Sequence, residues 1–295
     1  MKLSIVAPDK KAAGDISLPG QFTEPVRTDL ITRAVLALQA ARRQPYGGFG
    51  NAGLRHSSDL SRRRRKYRGS YGKGISRVPR KILSRRGSQM HMVGATAPGM
   101  VGGRKAHPPK SFKDWTQKIN AIENRKAIRA ALAATVQADI ITERGHQIPK
   151  EFPFILSTDL EKISKTTDLE KALVQLGFAE ELARGSTKRI RAGKGKLRGR
   201  KHKNPVSFLF VVSKTGTPLA KAASNIPGAD VAVVHGLNAE LLAPGCHPGR
   251  LTIFTEAAVK RLADESLFTK NYKVPEKKPA VKKAPAKKAP AKVKA

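Results

Sequence analysis

Val206-Ser207-Phe208-Leu209-Phe210-Val211-Val212 is a continuous apolar run, rich in valine and phenylalanine, and its reading decides the fold class. β-Branched and aromatic residues favour extended backbone. The run does not alternate apolar with polar, so both of its faces are to be covered rather than one left to water. Ala229 to Val234 and Leu251 to Phe254 read the same way, Phe154-Ile155-Leu156 is a shorter buried strand, and Leu3-Ser4-Ile5-Val6 opens the chain as another.

Helices lie between these strands. Thr28 caps one, with Asp29 in its first turn favoured by the dipole, and Leu30, Ile31, Ala34, Val35 and Leu38 form its apolar stripe before Pro45 and Gly47-Gly48 end it. Asn120 with Glu123 three residues on resembles a capping box, followed by Ala127, Ile128, Ala131, Leu132, Thr135 and Val136 at helical spacing. Asp168 opens a third through Leu169, Leu173 and Leu176, stopped by Gly177, and a fourth runs from about Glu256 to Ala263. Strands alternating with helices predict an α/β fold, a mostly parallel sheet flanked by helices. Residues 1–46 and 111–272 are the expected globular domain.

Between its two parts the chain changes character. Residues 47–110 carry sixteen basic side chains and one acid, Asp59, with recurrent glycine and proline and no sustained apolar period. Such a segment cannot bury enough apolar surface to offset its own ordering entropy. It is expected to be an extended loop, ordered by something outside the chain. Folded back at about 30 residues per arm, it reaches at most roughly 100 Å. A second segment, residues 184–203, holds ten positive charges and no acid. From Lys273 to Ala295 the chain is a Lys/Ala/Pro tail, a composition that predicts disorder.

The charge says what that outside agent is. Lys and Arg number 58 against 22 Asp and Glu, a net +36 over 295 residues. A solubilising surface needs only about 2–8 charges on a small domain, whereas phosphates release counterions to each cation placed on them. Nucleic acid fits best, although a membrane surface or an acidic protein also attracts such a chain. The longest apolar stretches fall far short of the roughly 20 residues that span a bilayer. The N-terminus has too short an apolar run for a secretory signal. A single cysteine, Cys246, suits a reducing compartment, hence the cytoplasm.

Within the loop, Arg62-Arg63-Arg64-Arg65-Lys66-Tyr67-Arg68, with Tyr71 close behind, sets phosphate-binding cations beside stacking faces. A solvated linker or localisation signal is the bland reading, but such signals use only 5–8 residues. Gly193-Lys194-Gly195-Lys196-Leu197-Arg198-Gly199-Arg200 lacks the hydroxyl residue of a nucleotide-binding loop, and its glycines precede a strand instead of joining strand to helix. Direct contact with RNA phosphate is the better reading. Histidines and carboxylates are scattered. Cys246-His247 cannot supply the ligands of a structural zinc site, and no hydrolase or protease motif occurs. No enzyme, cofactor or metal is expected. An RNA-modifying enzyme would need a cofactor loop and an acid–base pair. A basic DNA-binding chromatin-type protein is the alternative: it explains the charge and tail but not a long loop interrupting an α/β core.

Several blocks together resemble a known family. Leu18-Pro19 to Phe22, then Pro25-Val26-Arg27 and Asp29-Leu30-Ile31, is similar to the entry into the first helix of the universal large-ribosomal-subunit protein four, in its archaeal and eukaryotic form. The loop exit Gly102-Gly103-Arg104-Lys105-Ala106-His107-Pro108-Pro109, the segment Gly193 to Arg200, Asn225-Ile226-Pro227-Gly228, and Leu242-Ala243-Pro244-Gly245 before Gly249-Arg250 resemble it too. Their order and spacing cover about residues 1–265. Cys246, where the family more often has glycine, and the tail depart from the pattern. The tail is short beside the long eukaryotic extension, which implies an archaeal source.

The resemblance implies a globular domain on the outer surface of the large subunit and a loop that penetrates ribosomal RNA. The loop tip, around Val78 to Met92, would help line the nascent-peptide exit tunnel near the constriction shared with ribosomal protein twenty-two. Large-subunit ribosomal RNA and neighbouring large-subunit proteins are the implied partners. The residues expected to contact RNA are Arg55, Arg62, Arg63, Arg64, Arg65, Lys66, Tyr67, Arg68, Tyr71, Lys73, Arg77, Arg80, Lys81, Arg85, Arg86, Arg104, Lys105 and His107 in the loop. Arg191, Lys194, Lys196, Arg198, Arg200 and Lys201 join them from the second segment.

Overall fold

The structure, a computed structural model, describes residues 1–66 and 69–270. Tyr67, Arg68 and the tail expected to be disordered (273–295) lie outside the described residues. In chain order the first elements are β1 (Lys2–Val6), β2 (Ala12–Ser17), α1 (Thr28–Ala41), β3 (Arg80–Arg86) and β4 (Gln89–Gly94). Then come α2 (Ala121–Ala134), α3 (Ala138–Glu143), β5 (Ile155–Leu156), α4 (Thr166–Gln175), α5 (Ala179–Ser186), β6 (Arg189–Ile190) and β7 (His202–Lys203). The chain closes with β8 (Leu209–Val212), α6 (Pro218–Ala223), β9 (Asp230–Val233), α7 (Ala239–Leu242), β10 (Thr252–Phe254) and α8 (Glu256–Asp264). Two units emerge, one of residues 1–36 with 119 onward and one of residues 37–118.

In the first unit β8 is the central strand. It pairs in parallel with β10 on one side and β9 on the other. Its side chains alternate between two cores, as strand geometry requires. Leu209 and Val211 join Ile31 and Val35 of α1, Leu132 of α2 and Val259 and Leu262 of α8. Phe208, Phe210 and Val212 join Leu169 and Leu173 of α4, Phe178, and Leu219 of α6. The run at 208–212 is apolar throughout because helices cover both of its faces. Each such side chain fully buried contributes about 1.5–3 kcal/mol.

The α/β class holds, but a single mostly parallel sheet does not. The first unit carries two small three-stranded sheets, β10-β8-β9 wholly parallel and β2-β1-β5 mixed. In the mixed one β1 runs antiparallel to β2 and parallel to β5. One parallel bridge, Leu156 to Thr255, links β5 to the residue after β10. The remaining pairs, β3-β4 and β6-β7, are antiparallel hairpins within the basic segments.

Local signals were read unevenly. Thr255 caps α8, its Oγ accepting from the Ala258 N–H at 3.3 Å. The expected capping box at α2 is absent: Asn120 makes no side-chain cap bond, and Glu123 lies 3.3 Å from the Arg33 guanidinium instead. α4 begins two residues before Asp168, at Thr166. Arg250, only 1% exposed, ties strand ends together, donating to the Ser207 and Phe208 carbonyls at 3.0 Å each and to Asp230 at 2.6 Å.

Candidate nucleic-acid interface

Among the described residues the second unit contributes nothing to either hydrophobic core, and backbone contacts join its two chain arms. The Gly48 N–H donates to the Pro109 carbonyl at 3.0 Å, and Ala95 N–H to the Pro79 carbonyl at 2.9 Å. Asp59 and Arg80 form an antiparallel bridge. Gly53 shows why the arms approach so closely. Its φ is +75°, a region that side chains disfavour, and a Cβ placed there would stand 2.5 Å from the Arg104 nitrogen. Only glycine fits.

The stretch expected to be structureless contains a β-hairpin, β3 with β4, in the register Arg80–Gly94 to Arg86–Gln89. Its two-residue connection is Gly87-Ser88, with Gly87 at φ +56°, as a tight hairpin turn demands. Leu83 is an extra residue between the Ile82–Met92 and Ser84–His91 pairs. Such a bulge bends and twists the ribbon, and Leu83 stands 57% exposed. An isolated two-stranded hairpin is marginal in water. Arg85, Arg86 and Gln89 at its end are all exposed.

Charge accumulates along these arms with a single acid to offset it. Asp59 is the only acid among sixteen cations of residues 47–110, and it lies 4.0 Å from Lys66. Arg55, Arg62, Arg63, Arg64, Arg65, Lys66, Tyr71, Lys73, Arg77, Arg85, Arg86, Arg104, Lys105 and His107 are exposed, whereas Arg80 and Lys81 are half-buried. Several cations lie over aromatic rings: Arg55 over Phe49 at 4.5 Å, Arg77 over Tyr71 at 4.6 Å and Lys110 over Phe112 at 5.3 Å. Tyr46 and Trp115 stack with centroids 5.8 Å apart and planes 13° from parallel. Arg43 lies 3.9 Å and Lys113 4.3 Å from the Trp115 ring.

The second basic segment forms a smaller hairpin in the first unit. Arg189 pairs with Lys203 and Ile190 with His202, and Arg191 N–H donates to the Lys201 carbonyl at 2.8 Å. Lys194, Lys196, Arg198, Arg200 and Lys201 are exposed and Arg191 half-buried.

A buried carboxylate fastens this hairpin at its root. Glu181, fully buried, accepts from Arg184 Nε and Nη2 at 2.7 and 2.6 Å and from Ser207 Oγ at 2.7 Å. It also accepts from Gln147 N–H at 3.0 Å and meets His146 Nδ1 at 2.8 Å. Arg184 reaches across to the Val206 carbonyl at 2.8 Å, so both ends of the excursion are held at one point. Burial works to raise the Glu181 carboxyl, but the hydrogen bonds from Arg184, His146, Gln147 and Ser207 outweigh it and hold it at about 2. Burial pushes the His146 imidazole below its ordinary range, against the pull of Glu181. The neutral ring then donates its Nδ1 proton to the carboxylate. Arg184, one of the ten positive charges of residues 184–203, turns inward.

Sequence reasoning thus found the two cationic surfaces and missed two things within and below them. The first is the aromatic cluster of Tyr46 and Trp115, signalled only by Arg42-Arg43 and Lys113 lying near aromatics in sequence. The second is the Glu181 clamp, whose partners apart from Arg184 lie 26 to 35 residues away and leave no local signature.

Comparison with known proteins follows the same outline. A family model described as the ribosomal protein L4/L1 family matches residues 16–265. The chain is 48% identical over 255 residues to the large ribosomal subunit protein uL4 of Nanoarchaeum equitans, covering 86% of this chain and 95% of that protein. The same-named protein of Archaeoglobus fulgidus is 42% identical over 265 residues, covering 90% and 99%. That of Halobacterium salinarum is 43% identical over 266 residues, covering 89% and 99%.

Proposed function

The chain belongs to the ribosomal protein L4/L1 family, and from that premise we propose that its two basic hairpins are its contacts with large-subunit ribosomal RNA. As a member it is a structural component of the large ribosomal subunit in the cytoplasm, and no enzyme. The globular domain of residues 1–46 and 111–272 acts as the anchor. Residues 47–110 thread among RNA helices, where Arg62 to Lys66, Arg77, Arg104 and Lys105 meet converging phosphates. Tyr67 and Arg68 belong to the same stretch. Arg191 to Lys201 hold a second phosphate track.

One observation carries this reading: an arm pair with a single acid among sixteen cations, zipped by backbone contacts and without a hydrophobic core of its own. Such a ribbon repels itself unless a polyanion surrounds it. The hairpin end at Arg85, Arg86 and Gly87-Ser88 is exposed. It would line the peptide exit tunnel beside ribosomal protein twenty-two. The chromatin-type alternative loses its ground to the family match over residues 16–265.

Sucrose-gradient fractionation of cells carrying a tagged chain tests the reading, with the tag expected in large-subunit and 70S- or 80S-sized fractions. Sedimentation with DNA, or only as free protein, overturns it. A cross-link from residue 87 to the nascent peptide, or to ribosomal protein twenty-two, tests the tunnel placement separately.

A further inference from the structure

Among the described residues every exposed aromatic side chain lies between residues 37 and 118, and each has a lysine or arginine over its ring. The remaining described aromatics are buried or half-buried. Phosphate binding alone needs no rings, so the pairing asks for a ligand with both a flat apolar face and a negative charge. An unpaired nucleotide has both.

We infer that the Tyr46–Trp115 stack is a platform for an unpaired base of single-stranded RNA, with Arg43 and Lys113 taking the adjoining phosphate. The inference rests on the RNA-binding reading above and adds a site outside residues 47–110. Two aromatic planes within 13° of parallel offer a ready surface for a third, and Tyr46 is 51% exposed. Arg43 reaches both rings, 3.9 Å from Trp115 and 5.6 Å from Tyr46. Without RNA its guanidinium rests where a base would lie. An exposed cation over a ring is held weakly, and a phosphate is the better partner for a guanidinium. Exchange of the cation for a base, with the cation passing to the phosphate, therefore favours the bound state. The Trp115 indole N–H supports this: it is shielded from water and has no acceptor. Such a donor is costly to leave unmet, and a ribose or phosphate oxygen brought in as Arg43 swings away would meet it.

Base-on-aromatic stacking is tolerant of sequence, so the platform selects unpaired over paired RNA without a base preference. It thereby divides the labour, with the arms reading phosphates and the platform reading exposed bases.

Trp115 is the chain's only tryptophan, which gives the site its own fluorescence signal. The full chain is titrated with a single-stranded RNA dodecamer, a base-free ribose-phosphate dodecamer and a duplex of equal charge. The single strand is expected to quench Trp115, and the base-free strand to bind by charge without quenching. Tyr46→Ala is expected to weaken single-strand binding about 5- to 100-fold while duplex affinity stays within twofold, and Tyr46→Phe is expected to behave as the native chain. Equal quenching by the base-free strand, or unchanged single-strand affinity in Tyr46→Ala, overturns the platform. If duplex binding persists in those cases the broader RNA reading stands, whereas loss of duplex binding in the native chain overturns both.

Discussion

Replacing Glu181 by glutamine keeps the volume of the side chain and removes its charge, and the cost can be worked from the contacts it makes. The carboxyl is held at about 2 against an ordinary 4.5, a distance that corresponds to about 3 kcal/mol of stability. A separate route gives a similar figure, since breaking a buried pair and leaving Arg184 uncompensated costs about 3–5 kcal/mol. For a unit of this size, 3 kcal/mol lowers the melting temperature by roughly 6–12 °C. The sign with pH follows from the direction of the shift. The folded carboxyl lies below its unfolded value, so its contribution is complete above about 4.5 and is lost as pH falls toward 2. His146 acts in the same direction at higher pH. Its depressed folded value makes its contribution complete above about 6.5, fading as the pH drops below that. Circular-dichroism melts of native and Glu181→Gln chains between pH 2.5 and 7.5 should be separated by the full gap at pH 7. The two curves should converge at the acid end. Equal melting temperatures at pH 7, or parallel curves throughout, would refute the clamp.

Trypsin should cut the RNA-free chain first within residues 47–110, and added ribosomal RNA should protect those sites; protection without RNA would show that the arms are packed on protein after all. Changing Arg85 and Arg86 together to alanine should reduce the slope of log affinity against log salt by about 1.8, or 0.9 for each duplex phosphate no longer neutralised, and an unchanged slope in a filter-binding series would remove that hairpin end from the RNA contact. Gly53→Val forces a side chain to 2.5 Å from the Arg104 nitrogen, well inside van der Waals contact, at a positive φ, so tryptic cleavage at Arg104 should accelerate while the main thermal transition stays put; an unaltered cleavage rate would mean the arms do not meet there.

The parts of the fold legible in sequence were those with a hydrophobic imprint. Val206 to Val212 announced a strand with two covered faces, and Phe208 and Leu209 do fall into different cores. β2 left no imprint because Ala12 to Ser17 is almost wholly exposed and pairs by backbone alone. The β3–β4 hairpin was hidden for a related reason. Arg80, Lys81, Arg85 and Arg86 occupy positions where an ordinary strand would alternate, so charge erased the period-two pattern that marks a strand. The turn residues Gly87-Ser88 do not stand out among the many glycines of the segment. The cationic surfaces were legible from composition, since exposure follows almost automatically from charge density. The Glu181 clamp was not, because its partners other than Arg184 come from separate segments. Trp115 carries no local signal of its own, because its ring gains meaning only from Tyr46, Arg43 and Lys113 beside it.

Gln21 sits near one end of the chain and donates through its side-chain amide to the Leu262 and Leu267 carbonyls near the other, at 3.1 Å each. That distance in sequence sets a timetable for biosynthesis. The scaffold that flanks the ribbon cannot close until residue 267 has left the ribosome, although the ribbon itself emerges some 150 residues sooner. At a synthesis rate of about 5–20 residues per second, the ribbon spends roughly 10–30 seconds outside before the scaffold is complete. Any newly made chain therefore presents its cations to the cell before it has a folded body to carry them.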